Sequence, residues 1–136
     1  FEEYLTYTDG TDTRYELVNG ELVKMGIGEG LHGEIMYFLE QRFNLEIQRL
    51  GRPWVARKAV IGLRSPRAGR WDTSRIPDVT VLPEEQWRSL RNREAIIELN
   101  EPPPLIVVEV VSETTRTIDY RPKRSEYSVL NIPEYW

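Results

Sequence analysis

The segment 105-LIVVEVVS-112 decides how the rest of the chain is read. Apart from Glu109 and Ser112 it is wholly aliphatic and mostly β-branched. Such a run predicts a strand covered on both faces, at the centre of a sheet. Glu109 is the anomaly, flanked by Val107, Val108, Val110 and Val111. Burying an unpaired carboxylate costs several kcal/mol or forces it to protonate. A metal ion, or an Arg or Lys, would supply the missing partner.

Upstream, 76-IPDVTVL-82 reads as a second strand, with Asp78 entering directly after Pro77 and before the alternating Val79, Thr80 and Val81. Carboxylates on two neighbouring strands can converge on one hard cation such as Mg²⁺, which prefers carboxylate, phosphate and water oxygens. The competing reading of both acids is a buried ion pair with an arginine. Between the strands, residues 84–98 (EEQWRSLRNREAIIE) are expected to form a helix, broken by Asn100 through Pro104.

Further out, Trp54 to Leu63 predicts a strand, joined to 76–82 by the polar loop 64-RSPRAGRWDTSR-75. The opening 15-YELVNGELVKM-25 predicts a hairpin around Asn19-Gly20, two residues that tolerate positive φ. From Gly30 to Leu50 the apolar positions Leu31, Ile35, Phe38, Leu39, Phe43, Ile47 and Leu50 recur at helical spacing, ending at Gly51-Arg52-Pro53. On the other side of the central strand, Asp119 is placed to cap a helix over about Tyr120–Leu130, with Pro122 tolerated in its first turn. The last residues, 131-NIPEYW-136, lead into another extended segment. The element order implies an α/β fold of the α+β kind: a single mixed central sheet flanked by helices.

At 136 residues and 40% hydrophobic, the chain fits one domain over residues 1–136 with one core. It opens without Met and stops at Trp136, so we expect it to be cut at both ends. There is no cysteine, no signal stretch, and no run near the roughly 18 apolar residues of a membrane span. A soluble, cytoplasmic protein is the default expectation. A net charge of −4 argues against non-specific coating of nucleic acid through a wholly basic surface. Residues 49–75 nevertheless carry Arg49, Arg52, Arg57, Lys58, Arg64, Arg67, Arg70 and Arg75 against Asp72 alone. Such a segment either steers a phosphate backbone or is an ordinary solvated hairpin.

Pro77-Asp78 followed by Glu109 resembles the two acidic elements of the PD-(D/E)XK nuclease superfamily, where an Asp and a Glu on adjacent strands bind Mg²⁺. The usual pattern has a Lys two residues after the Glu, on the same strand face. Here that position is Val111. The only lysines are Lys24, Lys58 and Lys123, and Lys123 lies in the helix after the Glu109 strand, from which it can point back. The ordered set YELVNGELV, His32-Gly33, PDVTVL, VVEVVS, Asp119, Lys123, Tyr127 and IPEYW is similar to the Uma-two family of bacterial restriction endonucleases. That family is assigned to the same superfamily, with its lysine moved into this helix. The resemblance covers residues 15–136.

It implies a restriction-endonuclease-like core and a Mg²⁺-dependent (or Mn²⁺-dependent) DNA endonuclease acting as a homodimer. Asp78 and Glu109 become metal ligands, Lys123 the cation that stabilises charge or orients the attacking water, and Glu16 an accessory acid. Asp119 holds the helix start. The alternative is a nuclease-like fold that has lost activity and serves as a nucleic-acid-binding or protein-interaction module. An enzyme acting on a small phosphorylated substrate would instead show a closed pocket. His32, the only histidine, is read as a capping or core group, and Tyr127, Tyr135 and Trp136 as packing aromatics.

Overall fold

Asn19 and Gly20 both adopt positive φ, 54° and 79°, and so turn β1 (Tyr15–Val18) into β2 (Glu21–Lys24) as an antiparallel hairpin. A computed structural model describes residues 1–25, 30–65, 73–111 and 120–136 of the chain. Asp119, Arg67 and Arg70 lie outside the described residues. A short helix, α1 (Glu2–Leu5), precedes the hairpin, and α2 (Gly30–Leu50) follows it. The helix α2 ends as its sequence predicts. Gly51 takes φ 64°, its N–H bonds the Gln48 carbonyl, and the Arg52 N–H reaches back to Ile47, the double closure that a left-handed residue permits.

The remaining elements are β3 (Trp54–Lys58), β4 (Gly62–Ser65), β5 (Thr73–Arg75), β6 (Val79–Pro83), α3 (Glu84–Ser89), β7 (Ile96–Ile97), β8 (Ile106–Val108), α4 (Tyr120–Val129) and β9 (Glu134–Tyr135). Among the described residues the strands form two mixed sheets, ordered β2-β1-β5-β4-β7 and β3-β6-β8-β9. The expected single sheet therefore gives way to two. The run 54–63 does not continue as one strand, because Ala59 takes φ 47° and divides it into β3 and β4, which join different sheets. The expected helix over 84–98 stops at Ser89. Ile96 and Ile97 instead pair in parallel with Gly62 and Leu63 and become buried. Gly62 permits that approach, since a Cβ there would lie 2.2 Å from Ile96 Cδ1.

The strand β8 sits inside its sheet, antiparallel to β6 and parallel to β9. Its alternating side chains enter two buried clusters, as the aliphatic run predicted. Val108 packs with Ala56, Val79, Val81 and with Ile47 of α2. Val107 packs with Ile61, Leu63, Leu82, Leu90, Ile97 and with Tyr127 of α4. Each fully buried aliphatic side chain stabilises the fold by about 1.5–3 kcal/mol. The edge strand β3 is closed off by α2: the Asn44 side chain accepts from the Ala56 N–H at 2.9 Å and donates to the Ala56 carbonyl at 3.2 Å. Edge groups satisfied in this way offer no template for a foreign strand.

Candidate active site

The register that pairs Val79 with Val108 sets Asp78 opposite Glu109 one residue further along the same ladder. The two acids therefore stand at the same end of the central strands, close enough for the charge of Asp78 to act on Glu109. Asp78 lies at the entry to β6. Its Oδ2 accepts the Val110 N–H at 2.6 Å and its Oδ1 is 3.0 Å from His32 Nε2. Glu109 is held from the other side by α4, where Lys123 Nζ is 3.2 Å from Oε2 and the Tyr127 hydroxyl donates to Oε1 at 2.5 Å. The Glu109 N–H bonds the Trp136 carbonyl at 3.0 Å, so the backbone beside the acid is also fixed.

Burial pushes the Glu109 carboxyl up to about 7; Lys123 and Tyr127 oppose the shift, and the charge of Asp78 adds to it. Tyr127 is raised well above its ordinary value, by burial first and then by Glu109. Asp78 and Glu109 are thus close enough for one negative charge to disfavour the other, and a divalent cation relieves that repulsion. Among the described residues no group of three His, Asp or Glu side chains is arranged to hold a metal ion. Mg²⁺ does not require one, since it commonly binds through one or two carboxylates and keeps waters or substrate phosphates as its other ligands. The donor set fits such an ion.

The helix α4 is held by a second buried contact. Arg75 is 2.9 Å from Glu126 through Nε and 3.3 Å from Glu16 through Nη1, with all three side chains at most 12% exposed. Burial alone would lower the Arg75 pKa, but Glu126 and then Glu16 raise it, so the guanidinium stays charged. Glu16 also accepts the Ile76 N–H at 2.9 Å, two residues before Asp78. Lys123, Glu126 and Tyr127 stand at i, i+3 and i+4, which places them on one helix face. Two of them reach Glu109 and the third reaches Arg75.

Asp78 and Glu109 therefore stand close together and Lys123 reaches Glu109, while the Glu16 carboxylate engages Arg75 and Ile76. His32, read as a cap or core group, touches Asp78. Tyr127 packs as expected but also donates to Glu109. Arg75 was read only as part of the basic segment and its contact with Glu126 escaped the sequence reading, although the spacing of Lys123, Glu126 and Tyr127 carried a signal. Val111, at the usual lysine position, is exposed, as is Trp136, whose ring nonetheless lies 5.4 Å from that of Phe43.

The described cations of the basic segment are engaged within the molecule. Arg49 pairs with Glu46, Arg64 with Glu98 and Arg75 with two acids. Arg52, Arg57 and Lys58 lie over Trp54, Trp87 and Tyr37. No helix among the described residues is long and apolar enough to cross a membrane.

The sequence model of a family described as "Uma2: Putative restriction endonuclease" matches residues 1–136. A crystal structure from Anabaena variabilis, described as a "putative nuclease belonging to DUF820", aligns with TM-score 0.63 over 93% of this chain at 18% identity. The chain spans 63% of that protein's length. At this identity the likeness speaks to the fold, which is that of restriction-endonuclease-like nucleases. No curated protein matches.

Proposed function

From the premise that this chain belongs to the Uma2 family, we propose that it is the core of a divalent-metal-dependent DNA endonuclease, hydrolysing phosphodiesters with Asp78 and Glu109 as the metal ligands. The observation that carries this reading is the meeting of those two acids across adjacent strands, with Lys123 Nζ 3.2 Å from Glu109. A bound Mg²⁺ or Mn²⁺ would supply a water acidified toward neutral pH and a counter-charge for the phosphate oxygens.

The chain's own residues do the rest. Asp78 and Glu109 bind and orient. Lys123 adds a fixed positive charge beside the site where negative charge develops on the phosphorane-like transition state, in surroundings where such a charge counts for more than in water. Tyr127 holds the second Glu109 oxygen, so that this carboxylate cannot rotate freely. Glu16 acts as an accessory acid by bracing the Arg75–Asp78 segment through Arg75 and the Ile76 N–H. Both strands of a duplex are cut when two copies act as a homodimer.

Plasmid nicking with Mg²⁺ or Mn²⁺ tests the proposal by comparing wild type with Asp78→Ala. Metal-dependent nicking lost in the variant supports it. Equal cleavage by both proteins places the chemistry elsewhere, and a wild type that binds DNA without cutting it favours the inactive binding module.

A further inference from the structure

We infer that His32 is a positioning residue for Asp78, holding one oxygen of its carboxylate so that the remaining lone pairs face the cation shared with Glu109. The inference rests on the nuclease reading above. His32 stands in the first turn of α2, and its Nε2 is 3.0 Å from Asp78 Oδ1. In the tautomer that carries its proton on Nε2, the imidazole donates to that oxygen.

The second oxygen, Oδ2, accepts the Val110 N–H at 2.6 Å. Two donors from two different elements, one a helix and one the end of the central strand, each hold a separate oxygen. Together they fix both the position of the carboxylate and its rotation. The His32 and Asp78 side chains are 24% and 17% exposed, so water competes poorly for the bond. Further along, α2 has other anchors: Asn44 binds the β3 backbone and Ile47 lies in the core. A bond from the first turn of this helix aimed at a proposed metal ligand has the character of an outer-shell contact. Such contacts typically govern metal affinity by about 10–100-fold.

Mn²⁺ binding, followed by calorimetric titration at a pH where Glu109 is ionised, tests the role in the full chain. We expect His32→Ala to bind Mn²⁺ about 10–100-fold more weakly than wild type while unfolding cooperatively in urea. His32→Gln, whose amide nitrogen reaches as far along the side chain as Nε2, should restore most of the affinity, and the shorter His32→Asn should not. Unchanged affinity in His32→Ala, or no recovery with Gln, overturns the inference.

Spin-echo modulation from ¹⁴N in the Mn²⁺ complex, present in wild type and lost in His32→Gln, would also overturn it, since His32 would then be a ligand itself. Asp78→Ala separates the two readings. If it loses Mn²⁺ while His32→Ala does not, only the His32 role falls. If it binds Mn²⁺ like wild type, or if wild type binds none, the nuclease reading falls too.

Discussion

Lys123 Nζ lies 3.2 Å from Glu109 Oε2, and the two side chains are only 12% and 8% exposed. Removing one member of a buried pair typically costs about 3–5 kcal/mol, because the survivor stays charged and unpaired. Glu109 has an escape, since its pKa already stands near 7 and it can take up a proton. Lys123→Met, which keeps most of the aliphatic stem, should therefore cost only about 1–2 kcal/mol at neutral pH. Activity should fall more steeply, by about 10²–10³-fold, as for other fixed groups that stabilise transition-state charge. Urea unfolding and plasmid nicking on one preparation compare the two effects. Nicking within a factor of about two of wild type would remove Lys123 from the chemistry.

The carboxyl of Glu109 also sets a pH dependence. Its value rises from 4.5 in the unfolded chain to about 7 in the fold, chiefly through burial. The folded state thus binds this proton more tightly, and the stability linked to it is fully present below pH 4.5 and lost as pH rises through about 7. The shift corresponds to about 3 kcal/mol. Metal-free wild type should lose stability across that window relative to Glu109→Gln, which has no proton to lose. Urea midpoints at the two ends of the window check this, and parallel curves for the two proteins would contradict it.

Divalent metal should reverse the trend. A cation at Asp78 and Glu109 competes with the Glu109 proton, so stabilisation by Mn²⁺ should be small near pH 5 and grow as Glu109 ionises above about 7. Thermal unfolding with and without Mn²⁺ at both pH values measures the difference. Stabilisation of equal size at both would mean that the ion binds without using Glu109.

Arg75 is bound by Glu126 on α4 and Glu16 on β1, with Arg75 and Glu126 buried and Glu16 partly so. Arg75→Ala removes the cation that the two acids share and should cost about 3–5 kcal/mol. Glu16→Gln should cost less, because its amide oxygen can still accept the Ile76 N–H that Glu16 Oε1 accepts now. Chemical denaturation of the two variants gives the ordering, and a larger loss for Glu16→Gln would refute it.

Much of this was legible in the sequence wherever one strong local signal decided the outcome. The positive φ values at Asn19 and Gly20, the Gly51 stop of α2 and the two-sided burial of Val107 and Val108 follow from residue type alone. The nearness of Asp78 to Glu109 had its signal in two acids set beside apolar runs. The division of 54–63 at Ala59 was not, because alanine gives no turn signal and the break serves tertiary pairing. Residues 84–98 misled for a similar reason: helix-compatible side chains yielded to burial of Ile96 and Ile97 beside Gly62. The partners of Arg75, and the reach of His32 to Asp78, are long-range pairings of polar groups that local periodicity does not encode.

Tyr127 is where the site and the core coincide. Its ring is 1% exposed within the cluster that includes Val107 and Leu63, and its hydroxyl donates to Glu109 Oε1 at 2.5 Å. Tyr127→Phe keeps the ring and deletes only that donor. The ionised form of Glu109 then loses a hydrogen bond that its protonated form needs less, so its pKa must rise further. At low pH the variant should be nearly as stable as wild type. Above about 7, where wild-type Glu109 is charged, it should be weaker by about 1.5–3 kcal/mol, the range for a hydrogen bond to a charged group. The pH at which Mn²⁺ begins to stabilise the protein should move upward in the same variant, since the metal now competes with a more tightly held proton. Thermal unfolding across a pH series, with and without Mn²⁺, reads both effects. A uniform loss of stability at every pH would instead assign the hydroxyl a packing role unconnected with Glu109.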